Sequence, residues 1–254
     1  VLILSHPDIL SDTVKQTESQ DDLLDIVETF QRDIPFSNIK AHIASASATT
    51  LIEATQLFSQ TSADVMVWTE LDGEQIDYWI QGGNPSMAEG LFEVETVAQL
   101  TLVEVTVAED QTLAPYVLGA LNIVHATNGN TFDFMRSFAI LEEIDEAPAI
   151  LESGGTSEHY FNFFNQFLDD TPAAIDAITQ AIELDGGNPL WYAMRGFAYM
   201  RLNDDAQSER DSKTAMRIGP DGWSIPLIIQ ATASETFGKH VELLDNALEF
   251  NEDW

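Results

Sequence analysis

Carboxylates offer the most chemistry in this chain, because Asp and Glu number 43 against 10 Lys and Arg and the formal net charge is −33. Carboxylate and amide oxygens at short, regular spacing bind calcium. The nearest such pattern is the segment 128–133, which places Asn128, Asn130 and Asp133 around Gly129. It lacks the distal glutamate of a calcium loop, so a turn between helices explains the segment better.

Three pairs of adjacent aspartates are the other candidates for metal binding. They stand at the starts of predicted helices or in the turns between them, where aspartate accepts hydrogen bonds from free N–H groups and stabilises the helix by about 1 kcal/mol. No spaced Asp-x-Asp-x-Asp-Gly loop is present, so helix capping is favoured over calcium binding. The pairs are Asp21-Asp22, Asp169-Asp170 and Asp204-Asp205.

Nucleophiles, bases and metal ligands do not occur at any spacing that indicates catalysis. The chain has no cysteine, and its histidines are isolated from one another in the sequence. It contains no Gly-x-Ser-x-Gly, Walker, Gly-x-Gly-x-x-Gly or His-Glu-x-x-His pattern. We therefore expect no enzyme activity, no cofactor and no metal site. The histidines are His6, His42, His125, His159 and His240.

The acidic residues are spread along the whole chain. A surface of that charge repels phosphate backbones and anionic lipids, so binding to nucleic acid or to a membrane surface is not expected. Two explanations stay open, namely adaptation to salty water and a cationic partner. No apolar run approaches the roughly 20 residues that span a bilayer. The chain begins with Val1 and not with methionine, which leaves two explanations open, a signal peptide or anchor that has been removed or an end that the given sequence does not include. Of the locations, an exported or cell-surface one is favoured.

One pattern recurs at a fixed distance in the second half of the chain. The small and apolar residues of segment 174–184 are matched by similar residues 34 positions later, a spacing that we call the repeat period. It is typical of helix–turn–helix units that stack on one another, since a single amphipathic pair does not bury its apolar face alone. The matched residues are Ala174 with Ser208, Ala181 with Ala215, and Leu184 with Ile218.

The second copy of this pattern is the fuller one. It comprises residues 189–199 (PLWYAMRGFAY), 202–204 (LND), Ala215 and 218–220 (IGP), and it resembles a tetratricopeptide (TPR) repeat. The resemblance implies a module that binds or assembles proteins. Small residues let the two helices of such a unit approach closely, while larger ones fill the neighbouring holes. The residues assigned to repeat packing are Ala174, Ala181, Gly196, Tyr199, Ala215 and Pro220.

The segment 1–80 alternates between strand and helix patterns. Apolar, β-branched runs at 1–4, 39–43 and 65–68 predict strands, and the segments 21–30 and 48–60 between them have helical periodicity. The dipeptide at 72–73 is Asp-Gly between two strand-like runs, which predicts a hairpin. The predicted order of elements is therefore βαβαββ.

The end of the third predicted strand is Trp68-Thr69-Glu70. With the element order, it resembles the TolB amino-terminal domain that precedes TPR repeats in many bacterial proteins, although those relatives usually have a glycine after the tryptophan. The resemblance covers residues 1–80 and implies a small α/β domain of two or three layers in a bacterial protein.

Three regions follow from these patterns. Residues 1–90 are predicted to form the α/β domain, 91–111 a partly helical connection in which helix and strand periods conflict, and 112–254 an all-α TPR-like solenoid of three to four helix pairs. The segment 116–141 would be a degenerate first pair, in which Gly119 stands where Gly196 stands in the fuller copy. A last pair would span 223–233 and 240–250.

Aromatic residues before and after the fuller copy are the candidates for an interaction surface. Their spacing leaves two interpretations open, a binding surface or a core, because the helix near 160–168 has no wholly polar face. The carboxy-terminal end also lacks a polar capping helix, which favours stacking onto another copy. The candidate surface residues are Tyr160, Phe161, Phe163, Trp223 and Trp254.

Two functions follow from the sequence. The first is a non-enzymatic interaction or assembly protein with a protein partner, in which the repeats contact a partner or a second copy and head-to-tail contacts build an oligomer or filament. The alternative is a periplasmic or cell-surface sensing or scaffold component, in which the α/β domain binds a ligand or partner and the repeats dock it.

Overall fold

The fold is described from a computed structural model that covers residues 1–5, 39–72, 75–84, 91–106, 112–142, 144, 155–233, 243 and 246. The helix predicted at 21–30 and the aromatic residue Trp254 lie outside these described residues. Of the helix predicted at 240–250, only Leu243 and Asn246 are described, and both are helical.

Among the described residues, a five-stranded mixed sheet forms the amino-terminal part of the chain. The strands are β1 (Leu2–Ser5), β2 (His42–Ser47), β3 (Val65–Asp72), β4 (Gln75–Gly82) and β5 (Val103–Val105). Their order in the sheet is β2-β1-β3-β4-β5, with β1 parallel to both of its neighbours and β4 antiparallel to both of its own. Asp72 pairs with Gln75 at the end of β3 and β4, so the predicted hairpin is confirmed.

Two short helices accompany the sheet in the part of the chain that the structure describes, α1 (Leu51–Phe58) and α2 (Val94–Thr101). The hydroxyl of Thr50 accepts a hydrogen bond from the N–H of Glu53 and so caps α1. On the α1 side, the indole N–H of Trp68 donates to the carbonyl of Ala48 at 3.1 Å. The side-chain amide of Asn84 donates to the carbonyl of Phe58 at 2.9 Å, which ties the residue after β4 to the end of α1.

The predicted connection at 91–111 belongs in part to the sheet. Its helical and strand patterns are both present, one after the other, as α2 and β5. β5 extends the sheet because Val103 and Val105 are buried while Glu104 between them is exposed, the alternation of a half-buried strand. The two periods conflict in the sequence because a single residue, Leu102, separates the two elements.

Seven further helices follow in the described part of the chain. They are α3 (Ala114–Thr127), α4 (Thr131–Glu142), α5 (Thr156–Gln166), α6 (Thr171–Leu184), α7 (Pro189–Arg201), α8 (Asp205–Ile218) and α9 (Ile225–Thr232). A five-stranded sheet followed by helices agrees with the predicted order of an α/β region before an all-α region.

The chain divides into two compact units, and the division does not fall at residue 112 as predicted. The first unit comprises Val1–Glu89, Glu93–Val124 and Ala139–Ala149, and the second comprises Gly90–Phe92, His125–Phe138 and Ile150–Trp254. The first part of α3 is buried at every position from Ala114 to Val124, as expected of a helix that is apolar all round. A Cβ added at Gly82 in β4 would lie 2.7 Å from Val124 Cγ2, so this part of α3 packs on the sheet.

The predicted repeat period is confirmed in the second unit. α6 runs from Thr171 to Leu184 and α8 from Asp205 to Ile218, so both ends of the two helices are separated by one repeat period. Their capping residues keep the same offset, because Asp170 accepts from the N–H of Ala173 and Asp204 from that of Gln207. α5 packs against α6, α6 against α7 and α7 against α8, while α9 packs against α7 and α8.

Candidate interaction surface

The small residues of the fuller repeat lie where its two helices meet. A Cβ added at Gly196 on α7 would lie 3.2 Å from Ser212 Oγ and 3.3 Å from the carbonyl oxygen of Ser208 on α8. Ala215 is fully buried on the same side of α8. Contacts at these distances leave no room for a longer side chain without moving the helices apart.

The other residues assigned to repeat packing fall into two groups. Ala174 and Ala181 are fully buried on α6, at the positions equivalent to Ser208 and Ala215. Tyr199 and Pro220 are half-buried, so their contribution to packing stays a prediction.

The aromatic residues of α5 are core residues, and the interpretation that they form an open binding surface is wrong. Tyr160, Phe161 and Phe163 each have 0% exposed surface. Burial also raises the pKa of the Tyr160 phenol well above its usual value. The helix has no polar face because other elements of the same chain cover it.

The two tryptophans proposed for the surface have different outcomes. Trp223 is buried, its indole N–H donates to the carbonyl of Ala126 at 2.7 Å, and its ring meets that of Phe92 edge-on at 5.2 Å. It therefore anchors the turn before α9 and presents no surface. Trp254 lies outside the described residues.

Helix α4 covers aromatic residues of two helix pairs, α5 with α6 and α7 with α8. Phe163 on α5 and Phe197 on α7 occupy equivalent positions in the repeat, and the ring of Phe138 on α4 lies 6.3 Å from the first and 5.1 Å from the second. Phe134 lies 5.6 Å from Phe197. The face that α5 and α7 share is thus covered by α4 of the same chain. The sequence patterns, which assigned α4 to a degenerate repeat, did not predict this covering role.

A partly buried ion pair, which the sequence reasoning also missed, joins three helices. Arg195 on α7 donates through Nε and Nη2 to the carboxylate of Asp211 on α8, at 2.7 and 3.0 Å. Its Nη1 donates to Thr179 Oγ1 on α6 at 3.3 Å. The hydrogen bonds to Asp211 raise the pKa of the Arg195 guanidinium further.

A signal for this ion pair was present in the sequence of α8. Ser208, Asp211, Ser212 and Ala215 follow the helical spacing of one face, and all four are buried. A carboxylate within a buried stripe requires a partner, because an unpaired charge there is costly. Arg195 lies near the middle of the preceding helix and supplies it.

The aspartates at helix starts act as caps in the described structure. Asp170 and Asp204 bond to backbone N–H groups, and in the segment 128–133 the side chain of Asn130 caps α4 by accepting from the N–H of Asp133. Gly129 has a φ of 73°, which suits the turn that ends α3. Within the described residues, no three His, Asp or Glu side chains are arranged to hold a metal ion.

The open surface of the repeats carries charge in two rows of opposite sign. We call Asp176 and Glu183 on α6 the acidic row, and Arg210, Lys213 and Arg217 on α8 the basic row. All five side chains are exposed. Asp176 and Arg210 occupy equivalent positions in the two helix pairs, as do Glu183 and Arg217, so the sign of the charge reverses from one pair to the next.

Most of these charges are not paired within the part of the chain that the structure describes. Lys213 forms a short ion pair with Glu209, 3.0 Å, on the surface of its own helix. The side chains of Arg210, Arg217, Asp176 and Glu183 make no hydrogen bond or ion pair among the described residues. No described helix has both the length and the apolar character that crossing a bilayer requires.

Comparisons with known proteins add little to this description. No family model matches the chain, and no curated protein matches it. Among solved structures, the crystal structure of MamA protein matches with 21% sequence identity and a TM-score of 0.36, covering 55% of this chain and 81% of that one. A likeness at that TM-score carries no argument, so the assignment of helix pairs rests on the geometry of this chain.

Proposed function

We propose that this protein is a non-catalytic interaction or assembly protein that acts through its helix pairs. The observation that carries the proposal is the repeat period shared by α6 and α8, with equivalent caps at Asp170 and Asp204 and equivalent buried small residues. Units built on such an offset expose long helical faces and stack on further units. The predicted absence of a catalytic site favours the same function.

The finer form of the proposal is self-association through the repeats. The predicted helix at 240–250 carries Leu243, Leu244 and Leu248, apolar side chains of the kind through which stacked helix pairs contact a further unit. Head-to-tail contacts of that kind produce rings or open filaments. Size-exclusion chromatography with light scattering tests it: species that grow with protein concentration at micromolar levels support assembly, and a monomer at every concentration contradicts it.

A second candidate is a scaffold or sensing component in which the α/β unit binds a ligand or partner. The observation in its favour is that the sheet has its own core, including Leu4, Phe58 and Trp68, apart from the helix pairs. The TolB-like identity of that unit and an exported location remain proposals. A strictly monomeric protein would favour this candidate, and binding would then be sought with the whole chain as bait.

A further inference from the structure

The acidic and basic rows lie on the same side of the helix pairs. Equivalent positions in successive repeats are related by the operation that carries one repeat onto the next, so they face the same way. Asp176 and Arg210 are such positions, and so are Glu183 and Arg217. In each row these two charges stand two helical turns apart, which is about 10 Å along the helix at a rise of about 1.5 Å per residue.

Basic residues are scarce in this chain, yet they gather on this one helix. The sequence has 10 Lys and Arg in all, and three of them form the basic row. The chain has 43 Asp and Glu, so a second copy offers many acidic side chains that could pair with the basic row. The partner that fits a basic row beside an acidic row carries the complementary order of charges.

From these observations we propose that the two rows form a contact between two copies of this chain, related by a two-fold axis. The contact deepens the proposed assembly function and rests on it. A two-fold axis that lies in the plane of the contact, midway between α6 and α8 and parallel to them, lays α6 of each copy on α8 of the other in parallel orientation. Asp176 then meets Arg210 of the second copy, and Glu183 meets Arg217.

The equal spacing of the two rows makes this pairing complete. Both ion pairs form at once at each of the two symmetric sites, and the same surface patch serves both copies, as a two-fold contact requires. The exposed side chains of Leu184 and Met216 flank the rows and add apolar area. Exposed ion pairs contribute little each, so the rows set register and selectivity and the affinity is modest.

Salt affects this contact in two ways. Two copies with a net charge of −33 repel each other at long range. At about 0.15 M salt the screening length is roughly 8 Å, which weakens this repulsion and leaves close ion pairs largely intact. At about 1 M salt the ion pairs are screened as well, so dimer formation is expected to be strongest at intermediate salt.

Charge reversal of one row at a time tests the contact. Variant A carries R210E and R217E, so the four pairing positions 176, 183, 210 and 217 are all acidic; variant B carries D176R and E183R, so all four are basic. Sedimentation velocity at about 0.15 M salt is expected to show a dimer for the unchanged chain and association weaker by about tenfold or more for A alone and B alone. An equimolar mixture of A and B is expected to form an A–B dimer, because every pair is again of opposite sign.

A variant with D185R and D221R is the control for net charge, since it changes the charge as B does but outside the rows. It is expected to associate at least as well as the unchanged chain. If the unchanged chain associates and A and B associate equally well, the row contact is wrong and the assembly function stands. If the unchanged chain and the A–B mixture both stay monomeric, the row contact and self-association are both overturned, which leaves the rows to a different partner.

Discussion

The two helix pairs of the second unit, α5 with α6 and α7 with α8, share their caps and buried small residues but differ in their aromatic residues and their surface charge. α5 and α6 bring the aromatic residues of one short segment into the core and expose only acidic charge. α7 and α8 bring a glycine and two serines together, hold a partly buried ion pair and expose a basic row. The positions that agree are the caps and the buried small residues.

This difference shows which positions the repeat requires. Caps and small residues fix where helices start and how closely they approach, so they recur at the repeat period. Aromatic filling and surface charge respond to what lies against each pair, and they are free to differ. Four sets of substitutions test this division, and their expected effects decrease in the order given.

Removing the ring that touches both pairs is expected to have the largest effect. Phe138→Ala leaves a cavity against Phe163, Phe167 and Phe197, and its expected cost is about 3–5 kcal/mol of unfolding free energy. Urea titration followed by circular dichroism measures it. Phe132→Ala on the same helix is the control, since that ring is 62% exposed and its loss is expected to cost little. Equal losses would contradict the covering role of α4.

Overpacking the α7–α8 interface comes next. Gly196→Leu forces a branched side chain against Ser212 and the backbone of Ser208, and we expect a loss of about 3 kcal/mol with a clearly lower melting temperature. Gly187→Leu in the turn before α7 is the matched control, because a Cβ there meets only Asp185 Oδ1, at 3.6 Å. An unchanged melting temperature for Gly196→Leu would contradict the close approach of these helices.

The ion pair between Arg195 and Asp211 occurs only in the pair of α7 and α8. Arg195→Met is expected to lower the free energy of unfolding by about 2 kcal/mol, since it leaves the buried Asp211 carboxylate without its cation. The double variant R195M/D211L removes both charges and should recover much of the loss. Lys213→Met, which breaks an exposed pair, serves as the control and should cost less than about 0.5 kcal/mol. No recovery in the double variant would mean that packing, and not charge, explains the loss.

The smallest effect concerns the caps, which the two pairs share. Asp170→Ala and Asp204→Ala each remove one side-chain bond to a backbone N–H, and each should cost about 1 kcal/mol. The two losses should agree within a few tenths of a kcal/mol if the two caps are equivalent in both helix pairs. Asp221→Ala, which removes an exposed acid without a capping role and outside the rows, is the control and should be nearly neutral. A large loss at one cap alone would break the equivalence.

The sequence was informative wherever local chemistry decides structure. The hairpin at Asp72, the turn around Gly129 and the caps at Asp170 and Asp204 depend on residues within a few positions of one another. The segment 91–111 shows the limit of that approach. The sequence indicates both its helix and its strand, but it does not show where the strand pairs. β5 joins the sheet by pairing with β4, which is distant along the chain, and Val105 pairs with Tyr78.

The repeat period, the acidic charge and the lack of any catalytic spacing were determined by the sequence itself, because each is a property of residue type and position along the chain. Only the tertiary structure decided that Tyr160, Phe161 and Phe163 are core and that Phe138 covers both pairs. An apolar helix face is read equally well as a core or as a surface until the element that covers it is known. That element, α4, is distant in sequence from α7 and is placed only by packing.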